Sequence, residues 1–266
     1  MKIYPNGFAG LYPNGMIGKP LAKNRTIGGE LQADWDVFKG NHLIAGFSFE
    51  EMRQYDVRQL ANFNPLTGAP LSSVQEVANW NKDATRQIVA AYLQDEWQLL
   101  EQVSLTAGVR YDHYSDFGDT FNPRIGLVWS ILENLDLKLL YGQAFRAPNF
   151  QELYNINNAT VIGNPNLKPE RIQTYEAGVA WRLNRYFAAN LNYFVSIIKD
   201  QIGWIPSTTP GVPALNANIG KTETQGVELG FNGAVGTDLN WKLNYTYQDP
   251  RDTSNNKRLQ IGRAHV

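Results

Sequence analysis

The sequence contains no cysteine and only three histidines. The first absence excludes a disulfide framework, a thiolate metal site and a cysteine nucleophile. There is no H-E-x-x-H, no G-x-S-x-G and no phosphate-cradling glycine loop, so the chain is read as a non-enzyme with no catalytic residue. No apolar run approaches the ~18 residues that a membrane-spanning helix needs, and the mean hydropathy is −0.37. Charge of one sign is lacking too: 24 Lys and Arg face 25 Asp and Glu, a net charge of −1. With no basic patch interleaved with aromatics, nucleic acid is not an expected partner.

What the chain has instead is alternation. Ile27, Gly29, Leu31, Ala33, Trp35 and Val37 alternate with Thr26, Gly28, Glu30, Gln32, Asp34 and Asp36. After a short break at residues 38–41, Leu43, Ala45, Phe47 and Phe49 alternate with Ile44, Gly46, Ser48 and Glu50. A period of 2 puts each set on its own face of a strand. Such pairs recur four more times, around residues 89–112, 125–141, 175–197 and 227–247. Short turns close each pair, and polar stretches near residues 52–84, 113–120 and 144–172 separate them. About ten strands of roughly 9–13 residues, in five hairpins with long loops at one end, predict an all-β, antiparallel up-and-down transmembrane barrel.

Tryptophan placement agrees. Trp35, Trp97, Trp129, Trp181 and Trp241 all lie within a few residues of the short turns, where indole suits a membrane–water interface. Tyr111, Tyr141 and Tyr247 fall at the opposite strand ends. Charges such as Glu30, Asp34, Glu50, Arg110, Lys138, Glu176, Arg182 and Glu228 occupy the other face, which must be wet. Asp95 breaks the apolar pattern beside Trp97. Asp112, Asp116 and Asp119 lack the ligand order of a calcium loop and read as a solvated acidic turn, so no metal site is assigned.

Three stretches carry a family resemblance. The first includes Tyr141, Gly142, Gln143, Ala144, Phe145, Arg146, Ala147 and Pro148. The second runs Gly163, Asn164, Pro165, Asn166, Leu167, Lys168, Pro169 and Glu170. The third is Thr224, Gln225, Gly226, Val227, Glu228 and Leu229. In that order and spacing, with Gln94-Asp95-Glu96-Trp97 and Gly108-Val109-Arg110-Tyr111-Asp112, the chain resembles the barrel of TonB-dependent outer-membrane receptors. The resemblance implies about ten strands of a 22-stranded barrel in the bacterial outer membrane. It also implies a plug domain, an inner-membrane energising complex contacted through an N-terminal part, and import of a ferric siderophore. The iron complex would be cargo, not a cofactor. Alternatives are a haem or cobalamin receptor of the same family, or a passive porin-like barrel; a soluble β-sandwich is a more distant one. Haem ranks lower because residues 149–163 contain no histidine.

The expected organisation is a loop remnant at 1–25, partial barrel at 26–248, truncated loop at 249–259 and a non-native tail at 260–266. The tail's codons can spell a sequencing-adapter read-through. Lys2–Gly7 lacks the apolar core of a signal peptide, so the true start is expected upstream. Loop aromatics and cations suited to an anionic iron complex are Tyr55, Arg58, Trp80, Tyr114, Tyr154 and Trp204, with Phe63 and Phe117 nearby in sequence. Arg146 is a further candidate, although it and Glu170 flank the long loop and are expected to anchor it.

Overall fold

The computed structural model describes residues 2–3, 12, 15–184, 186–236 and 239–259. Among the described residues, fourteen strands form one sheet. They are β1 (Lys2–Ile3), β2 (Met16–Phe38), β3 (Asn41–Phe63), β4 (Pro70–Val77), β5 (Ala84–Leu100), β6 (Val103–Tyr114) and β7 (Gly118–Leu132). Then follow β8 (Leu135–Arg146), helix α1 (Phe150–Tyr154), β9 (Val161–Ile162), β10 (Glu170–Asn184), β11 (Phe187–Ile205), β12 (Ala214–Val235), β13 (Leu239–Asp252) and β14 (Lys257–Arg258). The ten long strands pair antiparallel in chain order, a plain meander; β4 folds back on β3, and β9 adds beside β12.

The five hairpins fall where the alternation puts them. Lys39-Gly40 joins β2 to β3, Glu101-Gln102 joins β5 to β6, and Glu133-Asn134 joins β7 to β8. Gly40 has φ +80°, a turn conformation that a side chain would strain. The turns expected at residues 183–185 and 236–238 include Arg185, Thr237 and Asp238, which lie outside the described residues.

Register brings the two faces together across strands. Leu137, Val179, Leu191, Leu229 and Tyr245 stand in one row across five strands. The neighbouring row is Lys138, Gly178, Asn192, Glu228 and Thr246. Ile27, Leu31, Phe47, Leu93, Ile125, Leu139, Leu191 and Leu243 are all exposed, as a surface solvated by lipid requires. The opposite face is polar and linked: the Tyr92 hydroxyl donates to Glu30 at 2.6 Å, the Ser130 hydroxyl to Asp136 at 2.7 Å, and Asn192 Nδ2 to Glu176 at 3.1 Å. On the apolar side, Asn41 Nδ2 donates to Asp95, so that carboxylate has a partner beside the turns.

The strands are longer than their alternation indicates. The ten long ones span 12 to 23 residues, eight of them beyond the expected 9–13, and stretches expected as loops continue the ladder. Residues 52–63 belong to β3, and the expected loop at 113–120 shrinks to Ser115–Phe117. Residues 16–25, expected in a loop remnant, are part of β2. In the expected truncated loop, residues 249–252 extend β13, and β14 pairs back on it. Outside the bilayer both faces of a strand are wet, so the period-2 pattern fades while backbone pairing persists. The tail at 260–266 and residues 1, 4–11, 13 and 14 lie outside the described residues.

Candidate ligand-binding end of the barrel

Residues 147–169 connect β8 to β10 at the end opposite the short turns. Asn149 starts α1 with a reciprocal cap: its Oδ1 accepts from Glu152 N, and Glu152 Oε2 accepts from Asn149 N, both at 2.8 Å. This pairing satisfies two of the helix's orphan donors. Leu153, 1% exposed, plugs the segment inward, and Leu167 is buried as well.

Arg146, the last residue of β8, ties this connection together. Its Nε and Nη2 donate to the two oxygens of Glu170 at 2.8 and 2.7 Å, and Nη1 donates to Glu152 at 3.0 Å. Glu170 also accepts Ile202 N at 2.7 Å. One guanidinium thus joins β8, α1 and β10, with β11 reached through Glu170. The hydrogen bonds from Arg146 hold the Glu170 carboxyl below its usual range, against the opposing effect of burial. Those to Glu170 and then Glu152 raise the affinity of Arg146 for its proton. The Asn164–Glu170 stretch fastens the far side. Asn164 Nδ2 donates to Asn216 O at 2.9 Å, Asn166 N donates to Asn164 Oδ1 at 2.9 Å, and Lys168 exchanges two bonds with the Asn218 amide.

A second knot is built on Arg86 of β5. Its Nε and Nη2 grip Asp116 at 2.8 and 2.7 Å, with side-chain exposures of only 7% and 6%. Nη2 also reaches Pro148 O at 2.6 Å. The guanidinium lies 5.1–5.6 Å from the ring centres of Tyr114, Phe117 and Phe150. Asn81 Nδ2 donates to Phe150 O at 3.1 Å, and Ile156 N to Trp80 O at 3.0 Å. The connection therefore reaches past the short β6–β7 turn to rest on β5 and the segment before it.

These contacts redistribute the expected ligand residues. Trp80, Tyr114, Arg146 and Tyr154 gather around the connection, with Tyr114 stacked on Phe117 at 4.4 Å. Burial raises the Tyr154 hydroxyl's pKa. Tyr55 and Arg58 stay apart on β3, where Arg58 and Lys23 share Asp56 at 3.1 and 2.8 Å. Trp204 stands at the end of β11, 62% exposed. Neither Tyr55, Arg58, Tyr114 nor Trp204 is in a loop; each lies within a strand.

Of the three aspartates expected in a solvated turn, Asp119 is exposed, but Asp112 and Asp116 are withdrawn from solvent. Asp112 is 2% exposed and takes Arg110 Nε at 2.8 Å, Asp116 binds Arg86, and Asp119 faces His113 Nδ1 at 2.6 Å. Arg110 and the His113 ring on β6, and Arg86 on the neighbouring β5, give the three carboxylates separate partners. The sequence reading also missed Arg86, Asn81 and Arg124. Arg124 sits on β7, and its side chain lies across Gly108 on the polar face. With Tyr92, Arg110 and Asn122 it lines a lumen cavity of about 440 Å³. Arg124 has no carboxylate within salt-bridge distance among the described residues. An inward phase two residues after Asn122 was the only signal available for it.

A family model described as TonB dependent receptor-like, beta-barrel matches residues 4–262. The iron-regulated outer membrane virulence protein of Vibrio cholerae is 27% identical over 252 residues, covering 88% of this chain and 37% of that protein. The ferric enterobactin receptor PirA of Pseudomonas aeruginosa is 28% identical over 193 residues, covering 64% and 26%. The vitamin B12 transporter BtuB of Photobacterium profundum is 25% identical over 251 residues, covering 81% and 40%. Among solved structures, the siderophore receptor PirA from Pseudomonas aeruginosa superposes with a TM-score of 0.65 at 24% identity, over 86% of this chain and 40% of that one. The siderophore receptor PirA from Acinetobacter baumannii gives 0.68 at 20% identity, over 87% and 37%. These structural likenesses concern the fold. The chain spans less than half the length of each of these relatives.

Proposed function

Because this chain belongs to the TonB-dependent receptor β-barrel family of the outer membrane, we propose that the protein it forms part of imports a ferric siderophore. A plug domain and an inner-membrane energising complex are its proposed partners. The supporting observation is the lumen cavity in which Arg110, paired with Asp112, lies over the Tyr92 ring and Arg124 has no carboxylate partner among the described residues, while the lining carboxylate Glu30 is engaged by the Tyr92 hydroxyl. A bulky anionic iron complex is favoured by guanidinium groups and aromatic faces within a low-dielectric wall. Iron-related names among the relatives point the same way.

In this reading the rim residues Tyr55, Arg58, Trp80, Tyr114 and Tyr154 make first contact, and the cavity holds the complex before it moves inward. Arg146 serves the wall, since both edges of its guanidinium are occupied by Glu152 and Glu170. Cobalamin is the second reading, favoured by the likeness to a vitamin B12 transporter. The five tryptophans at the turns serve as interfacial anchors in either case.

The test is uptake by cells lacking their own ferric-siderophore receptors and expressing the intact gene. Energy-dependent accumulation of iron supplied as a ferric tris-catecholate is expected. Arg124→Ala should lower it about tenfold, equivalent to ~1.4 kcal/mol of binding. Labelled cobalamin uptake without iron uptake would replace this reading with the second.

A further inference from the structure

A second cavity, of about 450 Å³, opens between the α1 connection and the end of the β11–β12 hairpin. That size falls within the roughly 300–1,000 Å³ of small-molecule sites. One wall carries Trp204, opposite Asn216 in the ladder; the other carries Asn149, Gln151, Asn155 and Asn158.

The side-chain amides here are only partly used. Asn149 Oδ1 caps α1, and Asn158 Oδ1 accepts from Thr160 and Val161, which leaves both Nδ2 groups without a partner among the described residues. Asn216 spends Nδ2 on Glu152 O and keeps Oδ1 free. Gln151 makes no side-chain bond among the described residues. Asn155 is 5% exposed; its Nδ2 donates to Val161 O at 2.8 Å, and its Oδ1, sealed behind the cavity wall, has no partner among the described residues. The cavity's one carboxylate, Glu152, is neutralised by Arg146 at 3.0 Å.

The lining is therefore uncharged, rich in both donors and acceptors, and faced by an exposed indole. Neither an anionic iron complex nor a cation gains much from it. A polyhydroxylated ring does: its hydroxyls match amides that both give and accept, and its C–H edges meet the negative face of the indole. We infer that this cavity is a saccharide-binding site, separate from the Arg124 cavity and independent of which nutrient is carried. The saccharide comes either from the sugars of the surrounding lipopolysaccharide or from a sugar attached to a soluble iron chelate.

The protein, purified from outer membranes in detergent and labelled with 5-fluorotryptophan, distinguishes these sources. One arm titrates delipidated lipopolysaccharide oligosaccharide; the other titrates a glucosylated catechol against the unsubstituted catechol. A shift of the Trp204 fluorine resonance with either sugar is expected, and the arm that shifts it names the source. By calorimetry, Trp204→Ala should weaken that binding at least tenfold. Asn158→Asp, which keeps the oxygen that caps the turn, should weaken it several-fold. Absence of a shift from both sugars at about 10 mM, where a site weaker than ~3 kcal/mol would lie, overturns the inference. So does equal affinity in Trp204→Ala. Neither result bears on iron uptake, which is read separately in cells.

Discussion

Arg86 is a cation withdrawn from water, and its partners make that withdrawal tolerable. Asp116 supplies the charge, Pro148 an acceptor, and three aromatic rings the walls. Removing one member of such a pair strands the other, at a cost of about 3–5 kcal/mol. Arg86→Met should therefore loosen residues 147–163, seen as faster amide hydrogen exchange there. Pairing it with Asp116→Leu should recover part of the protection, because no buried charge then lacks a partner. Glu170 adds a pH dependence. Its carboxyl titrates below its unfolded value because Arg146 donates to it. Its contribution is therefore complete above the ordinary carboxylate range and lost as pH falls through the depressed value. Protease cleavage within residues 147–169 should stay slow at neutral pH and accelerate only in acid. In Glu170→Gln it should already be faster at pH 7, with a flatter profile.

At the scale of elements, the strands that meet lipid were readable because lipid enforces alternation. All five hairpins fall where Ile27–Val37 and its successors put them. Residues 16–25 and 52–63 carried no such pattern, since water on both sides rewards no particular face. The anchoring of the long connection by Arg146 and Glu170 was also legible, because those residues flank it. Arg86 was not: its partners lie 30 and 62 positions away, and nothing local marks them. The glycine of the Gly163–Glu170 stretch has a reason that only packing reveals. A Cβ there would lie 2.6 Å from the backbone of Leu153 and Asn155, too close for any side chain. Gly163→Ala should displace the connection from β12 and expose the 147–163 segment to protease, while the transmembrane hairpins keep their heat-resistant mobility on gels.

For the molecule as a whole, the two faces of the sheet answer to different solvents. Leu191 and Asn190 are consecutive on β11 but face opposite sides. Leu191→Arg puts a charge near the middle of the apolar band and should cost about 2–4 kcal/mol, measured as a lower urea midpoint after folding into vesicles. Asn190→Arg faces the wet side and should change the midpoint by less than about 0.5 kcal/mol.

The length of β2 and β3 has a further consequence. Each has 23 residues, which at ~3.3 Å per residue and a tilt near 45° rises about 50 Å. That is about twice the ~25 Å apolar band, so the wall ends some 25 Å above it. At physiological ionic strength the screening length is about 8 Å. An anionic solute arriving at this rim is thus shielded from the repulsion of the phosphate-rich membrane surface, and meets the protein's own field first.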